Sequence, residues 1–187
     1  MTNFKPPYWY HDNIKFPDEE IKILKSEMSS KSEFLCKKDP RKHQVTTFFV
    51  DQRIRTEKKF NSRYDQIVED IVKNVGLYRM VKYEYQYWAQ LYLQNHKHNP
   101  HQHSRKINEE ARKYEEVIMS WVHFLDVPKQ KYFRFLDNDG NFFVPDEQTN
   151  GDIICFPSWA WHEVIPNETE HRRLVISGNI SVTHFDS

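Results

Sequence analysis

From Arg79 onward the chain reads in a period of two, and that pattern limits its fold more than any other feature. Met80 to Gln94 alternates apolar and polar positions, with many Tyr, Trp and Leu, as a long strand half buried on one face does. Further runs of strand character follow at Ile118 to Leu125, Tyr132 to Leu136, Asn141 to Val144, Asp152 to Phe156, His162 to Ile165 and Arg173 to Val182. Turns of the Asn-Asp-Gly, Pro-Asp and Pro-Asn kind separate several of them. Short strands joined this way predict an antiparallel barrel or jelly roll. Aromatic residues make up 15% of the chain against only four glycines, which favours sheet over flexible linker.

The first half carries the helix signals. Pro17 and three acidic residues precede Ile21, Leu24 and Met28, the start of a short amphipathic helix. After Ser62, Tyr64, Ile67, Val68, Ile71, Val72 and Val75 fall at helical spacing up to Gly76. Between these helices, Val45 to Val50 reads as a strand and Lys37 to Lys42 as a charged loop. The expected organisation is one domain over residues 1–187, with 1–78 a helical supporting region and 79–187 the β core. Asn108 to Glu116 has an N-cap, early acids and good helix formers, and Arg105 to Glu116 is the expected substrate lid.

Twenty-seven basic residues balance 27 acidic ones, so no overall charge invites nucleic acid or an anionic membrane. No stretch approaches the roughly 18 to 20 apolar residues of a membrane helix. Met1 to Lys15 lacks the basic start and apolar run of a secretory signal, so a cytoplasmic protein is expected. Cys36 and Cys155 are far apart and form no CxxC pair, which argues for reduced thiols.

Chemistry concentrates in Asn95 to His103, which holds four of the ten histidines just after the long strand. His96 and His98 read as surface residues of a polar loop. In extended chain, residues two apart share a side, so His101 and His103 can offer two imidazoles to one metal ion. His162, after the proline-bearing turn that begins at Pro157, is the distant third candidate; its other reading is a polar strand end beside buried tryptophans. Two near ligands and one far one cover a single face of an octahedron and leave positions open, as in non-haem iron oxygenases. On the last strand Arg173, Val175, Ser177 and Asn179 share one face, and an arginine at its head can form a two-pronged hydrogen bond with a carboxylate. Leu174, Ile176 and Gly178 take the other face.

Together, Asn99-Pro100-His101-Gln102-His103-Ser104, Gly151 to Trp159 with His162, and Arg172 to Asn179 resemble the 2-oxoglutarate and Fe(II)-dependent oxygenase superfamily. The likeness is to its bacterial and phage, prolyl-hydroxylase-like branch with a His-x-His motif, and runs over about residues 80–182. It implies a double-stranded β-helix in which His101, His103 and His162 hold Fe(II), which 2-oxoglutarate chelates, while Arg173 takes the far carboxylate. It also implies O2-dependent oxidation of 2-oxoglutarate to succinate and CO2, coupled to hydroxylation of a protein side chain, proline among them, or of a small metabolite. Gln90, Tyr92, Ser177 and Asn179 are candidates for lining the cosubstrate pocket, and Trp88, Trp121, Trp159 and Trp161 for core and pocket wall.

Two departures from that pattern stand out. Most of the superfamily has Asp or Glu where this chain has His103, and Glu109 or Glu110 could instead supply a carboxylate ligand. Three neutral imidazoles also suit zinc, copper and nickel. Arg173 follows His162 by eleven residues, where ten is the commoner spacing. Two other readings share the histidines: a cupin-type three-histidine dioxygenase or isomerase that does not use 2-oxoglutarate, and a non-catalytic barrel that binds a ligand or partner. Substrate identity and oligomeric state are left open by the sequence.

Overall fold

The structure, a computed structural model, describes residues 8–39, 44–51, 53, 55–76, 81–103 and 116–185. Among the described residues, two antiparallel sheets are built from ten strands, most of them in the period-two region after Arg79. These are β1 (Trp9–Asn13), β2 (Val45–Thr46), β3 (Val81–Tyr92), β4 (His98–His101), β5 (Glu116–Asp126), β6 (Phe133–Leu136), β7 (Phe142–Phe143), β8 (Asp152–Pro157), β9 (His162–Val164) and β10 (Arg173–Phe185). The major sheet runs β1-β8-β5-β10-β3-β2 and the minor sheet β4-β9-β6-β7. Neighbours in space are mostly distant in sequence, as the double-stranded β-helix requires.

Three helices back the major sheet: α1 (Asp18–Ser30), α2 (Ser32–Lys38) and α3 (Asn61–Asn74). The apolar stripe of α3, with Tyr64, Ile67, Val68, Ile71 and Val72 buried, packs with Leu24 and Met28 of α1 on Ala89, Trp121, Ile176 and Ile180. Gly76, at φ 74°, ends this helical stretch where only glycine turns left-handed without cost. A second core between the sheets holds Tyr92, Val122, Phe124, Phe133, Phe135, Ile154, Phe156, Val164 and Val175. The alternation along β10 therefore divides its residues between two cores.

A buried polar link joins the helices to the sheet. His123 of β5 is fully buried, its Nε2–H donates to the Ile14 carbonyl at 2.8 Å, and its Nδ1 accepts from the Tyr64 hydroxyl at 2.9 Å. Burial pushes its pKa down to about 4, so this histidine is neutral.

Some expectations need correction. Of the expected loop from Lys37 to Lys42, Lys37 and Lys38 instead end α2, where Glu33 and Lys37 pair one turn apart and Leu35 is buried. Residues 40–42 lie outside the described residues. Only Val45 and Thr46 of the expected Val45 to Val50 strand pair with β3. Thr46 and Thr47 hydroxyls take up nearby backbone donors, Phe48 N and Ala89 N, and Val50 N closes a turn onto the Thr47 carbonyl, so side chains compete with the ladder. The strand β1 and the short β4 had no sequence expectation. The proposed lid, Arg105 to Glu116, and Glu109 and Glu110 within it lie outside the described residues, apart from Glu116 at the start of β5.

Candidate metal centre

The turn after β3 positions the first ligands, and a single asparagine holds that turn. Asn167 is fully buried; its backbone exchanges hydrogen bonds with Asn95 and His96, and its side-chain amide donates to the carbonyls of Tyr92 and His171. From there β4 pairs with β9, bringing His101 opposite His162. His103 lies two residues beyond, where its backbone N–H donates to the Ser158 carbonyl at 2.8 Å.

One ligand atom from each of His101, His103 and His162 lies within 4.8 Å of the other two. Each ring is oriented in the same way. The Nδ1–H of His101 donates to the Asn99 carbonyl at 2.8 Å and that of His162 to the Ala160 carbonyl at 2.8 Å. The Nδ1–H of His103 donates to Asn179 Oδ1 at 2.7 Å, an oxygen that also accepts from the Ser120 hydroxyl at 2.9 Å. An oxygen acceptor on Nδ1 fixes the tautomer with the lone pair on Nε2, which is the form a metal takes up. Burial, then the neighbouring rings of His101 and His103, hold His162 well below the usual histidine range, so it stays neutral. With each Nδ1 engaged by an oxygen, the three Nε2 atoms are left to converge, the arrangement that metal-ligating histidines have.

Arg173, at the head of β10 and only 4% exposed, lines the same chamber. Its guanidinium lies over the rings of Tyr132, 3.7 Å from the centroid, and Tyr92, 4.6 Å away. Among the described residues no carboxylate pairs with it, its Nε has no hydrogen-bond partner, and Nη2 makes only a long contact of 3.4 Å to the Ile165 carbonyl. Burial lowers its pKa to about 10, so it remains a cation at neutral pH. A buried cation without an anion is costly, and a ligand carboxylate would offset that cost. Val122, Phe124, Phe133, Phe156, Val164 and Val175 form the chamber's apolar wall, interrupted by Ser120, Gln130 and Gln148.

Of the other expected lining residues, Gln90, Tyr92 and Ser177 face this chamber. Asn179 faces an adjoining outer cavity and holds His103. That outer cavity, of about 280 Å³, is lined by Gln44, Thr46, Phe48, Phe49 and Gln102 on its far side. Trp88 and Trp121 are buried as expected, but Trp159 is 56% exposed and Trp161 41%. Both belong to the turn between β8 and β9, and because His162 points inward, its neighbour Trp161 must point out.

His98 also departs from expectation. It is half buried, lines both cavities, and stacks on His101 with ring centroids 3.9 Å apart and planes 18° from parallel. Regular alternation would put residues 98 and 101 on opposite faces. The register shifts by one residue between them, from His98 opposite Val164 to His101 opposite His162, and this bulge brings both to one face. Pro100, which has no N–H to give to a ladder, sits within it. That proline is the one local signal in the sequence.

No family model and no curated protein matches this chain. Solved structures do. A prolyl-4-hydroxylase from Pseudomonas putida aligns over 92% of this chain and 91% of its own, with 17% identity and a TM-score of 0.61. The viral collagen prolyl hydroxylase of Paramecium bursaria Chlorella virus-1, solved as a 2-oxoglutarate complex, aligns over 95% and 96%, with 12% identity and a TM-score of 0.64. The non-haem α-ketoglutarate-dependent epimerase SnoN from nogalamycin biosynthesis aligns over 92% and 76%, with 11% identity and a TM-score of 0.60. The chain therefore has the double-stranded β-helix, or jelly-roll, fold of the 2-oxoglutarate and Fe(II)-dependent oxygenases. Its His-x-His triad lies inside that fold.

Proposed function

We propose that this chain is an Fe(II)- and 2-oxoglutarate-dependent dioxygenase, in which His101, His103 and His162 hold the iron and Arg173 takes the far carboxylate of 2-oxoglutarate. The observation that carries this reading is the pairing, in one chamber, of three imidazoles in the metal-binding tautomer with a buried guanidinium that has no carboxylate among the described residues. A cupin-type reaction on a small chelating substrate has no fixed use for that guanidinium, and a non-catalytic barrel has none for the shared tautomer.

Bound iron and 2-oxoglutarate would supply, with O2, the oxidising power that releases succinate and CO2 and hydroxylates a C–H bond. The protein's own part is positioning. The rings of Tyr92 and Tyr132 hold the intrinsically planar Arg173 guanidinium in place, so its fork of donors can meet a planar carboxylate. Gln90, Ser120, Gln130, Gln148 and Ser177 offer polar groups on the chamber wall, Asn179 keeps His103 aimed at the metal, and the apolar side chains between them limit access of water. The outer cavity, which shares Trp88, Gln90, His98, His101 and His103 with the chamber, is where the hydroxylated substrate binds. Its amide and aromatic lining suits a protein side chain, with proline a candidate through the two similar prolyl hydroxylases, or a small metabolite. We place the reaction in the cytoplasm; among the described residues no helix is long and apolar enough to cross a membrane.

The test is an anaerobic titration of the Fe(II)-loaded protein with 2-oxoglutarate, following the weak visible charge-transfer band of the chelated keto acid. The band is expected to need His162 and to require about 10- to 100-fold more 2-oxoglutarate in Arg173→Ala, the cost of losing a charge-assisted pair. Iron binding without a band would transfer the chain to the cupin reading. Failure to bind metal at a defined stoichiometry would leave only the non-catalytic one.

A further inference from the structure

The geometry points to His98 as a positioning residue for the metal ligand His101, acting through its flat ring. This inference rests on the reading that the triad holds a metal. Two restraints are needed to aim an imidazole: one on rotation within its plane and one on the tilt of that plane. For His101 the in-plane angle is set by the Nδ1–H bond to the Asn99 carbonyl, which lies on its own strand. The tilt is set by His98, stacked at 3.9 Å and 18°. His101 also meets His162 at 4.2 Å with planes 56° apart, a tilted arrangement that suits two ligands converging on one ion and not parallel stacking.

His98 does not belong to the ligand cluster, since among the described residues His101, His103 and His162 are the group with atoms close enough to share an ion. It is itself held in place. Its backbone pairs with Val164 on β9, and Gln90 of β3 contacts its Nδ1 at 3.4 Å. The bulge that spans Pro100 is what places the two rings on one face, so it has a direct consequence for the metal site. The arrangement repeats at the second ligand, where Trp88 lies nearly parallel to His103, 6.1 Å between centroids and 18° between planes. Both backing rings stand between the chamber and the outer cavity. Each of the two ligands from this segment has a nearly parallel aromatic ring beside it, in contact at His98 and more distant at Trp88.

Mn(II) binding, read from the loss of the free-ion EPR signal as the full-length protein is titrated, separates the ring from its nitrogens. His98→Phe keeps a flat ring without nitrogen, His98→Gln keeps hydrogen-bonding capacity without a ring, and His98→Ala keeps neither. Affinity is expected to fall about 10-fold in His98→Gln and His98→Ala and to stay within about twofold of wild type in His98→Phe, the scale typical of residues that orient metal ligands. The metal-free melting temperatures of the Gln and Phe variants are expected to match, which sets ligand orientation apart from folding. Equal affinity in all four proteins would overturn the role. So would retention in His98→Gln with loss in His98→Phe, which would assign the effect to the contact with Gln90. A wild type that takes up no Mn(II) at a defined stoichiometry would overturn the metal reading itself.

Discussion

At the scale of single residues, histidine does three different jobs in this chain, and environment selects among them. His101, His103 and His162 present Nε2 to a common point because an oxygen occupies each Nδ1. His98 contributes a flat ring. His123 is a structural crosspiece, donating from Nε2 and accepting at Nδ1, and is neutral because burial lowers its pKa to about 4. An unfolded histidine titrates near 6.5, so between about pH 6.5 and pH 4 the unfolded chain binds a proton that the folded one refuses. Stability from this residue is complete above pH 6.5 and is lost as pH falls through that window, by about 3 kcal/mol in all. In metal-free protein the stability measured by denaturant unfolding should therefore fall across this range. His123→Gln should be less stable at pH 7 and lose up to one proton's worth of the slope; an unchanged slope would show that His123 is not the buried neutral group.

Secondary-structure elements impose their own constraints, the tightest where β5 and β10 pair beneath α3. Gly178 lies opposite Trp121 in the β5–β10 ladder, and a Cβ there would fall inside the van der Waals surface of the Trp121 indole. The indole cannot retreat, since it is fully buried and stacked on Tyr64, 5.2 Å between centroids. Gly178→Ala is expected to cost about 1 to 3 kcal/mol by overpacking, read as a lower denaturation midpoint. A midpoint equal to wild type would place the indole elsewhere. The element scale also explains why β4 escaped the sequence. With four residues, a proline and a bulge, it offers no alternation to detect, although its pairing with β9 brings two ligands together.

For the whole molecule, the site is a joint between two sheets. His101 and His162 stand on the minor sheet, Arg173 and Asn179 on β10 of the major sheet, and Asn179 already reaches across to His103. A metal with 2-oxoglutarate would tie these sheets together and stabilise the fold by mass action. At a hundredfold excess over its dissociation constant, each ligand would contribute about 2.7 kcal/mol, a rise of about 5 to 10 °C in a chain of this size. Calorimetry should show an increment from Mn(II) and a second from 2-oxoglutarate, with Arg173→Ala keeping the first and losing about half or more of the second. Loss of both in that variant would mean that Arg173 supports the metal site and not the cosubstrate.

The period of two from Arg79 onward, the helical spacing from Tyr64 to Val75 and the density of histidines after the long strand are local properties, and by themselves they determined the antiparallel β class, α3 and where to look for a cluster of imidazoles. Arg173 and Ser177 were legible in the same way, because alternation along one strand assigns faces without knowledge of its neighbours. What only the tertiary structure decided depends on contacts across long sequence separations. Tyr132 serves as the second platform for Arg173, Asn167 ties the turn that carries the histidines, and Asn179 turns from the chamber to His103. His98 entered the site because a bulge reversed its parity, and Trp161 left the core because His162 took the inward position. Side-chain direction within a regular strand follows from chain geometry alone; which strand lies opposite, and where its register slips, is settled only when the sheets close.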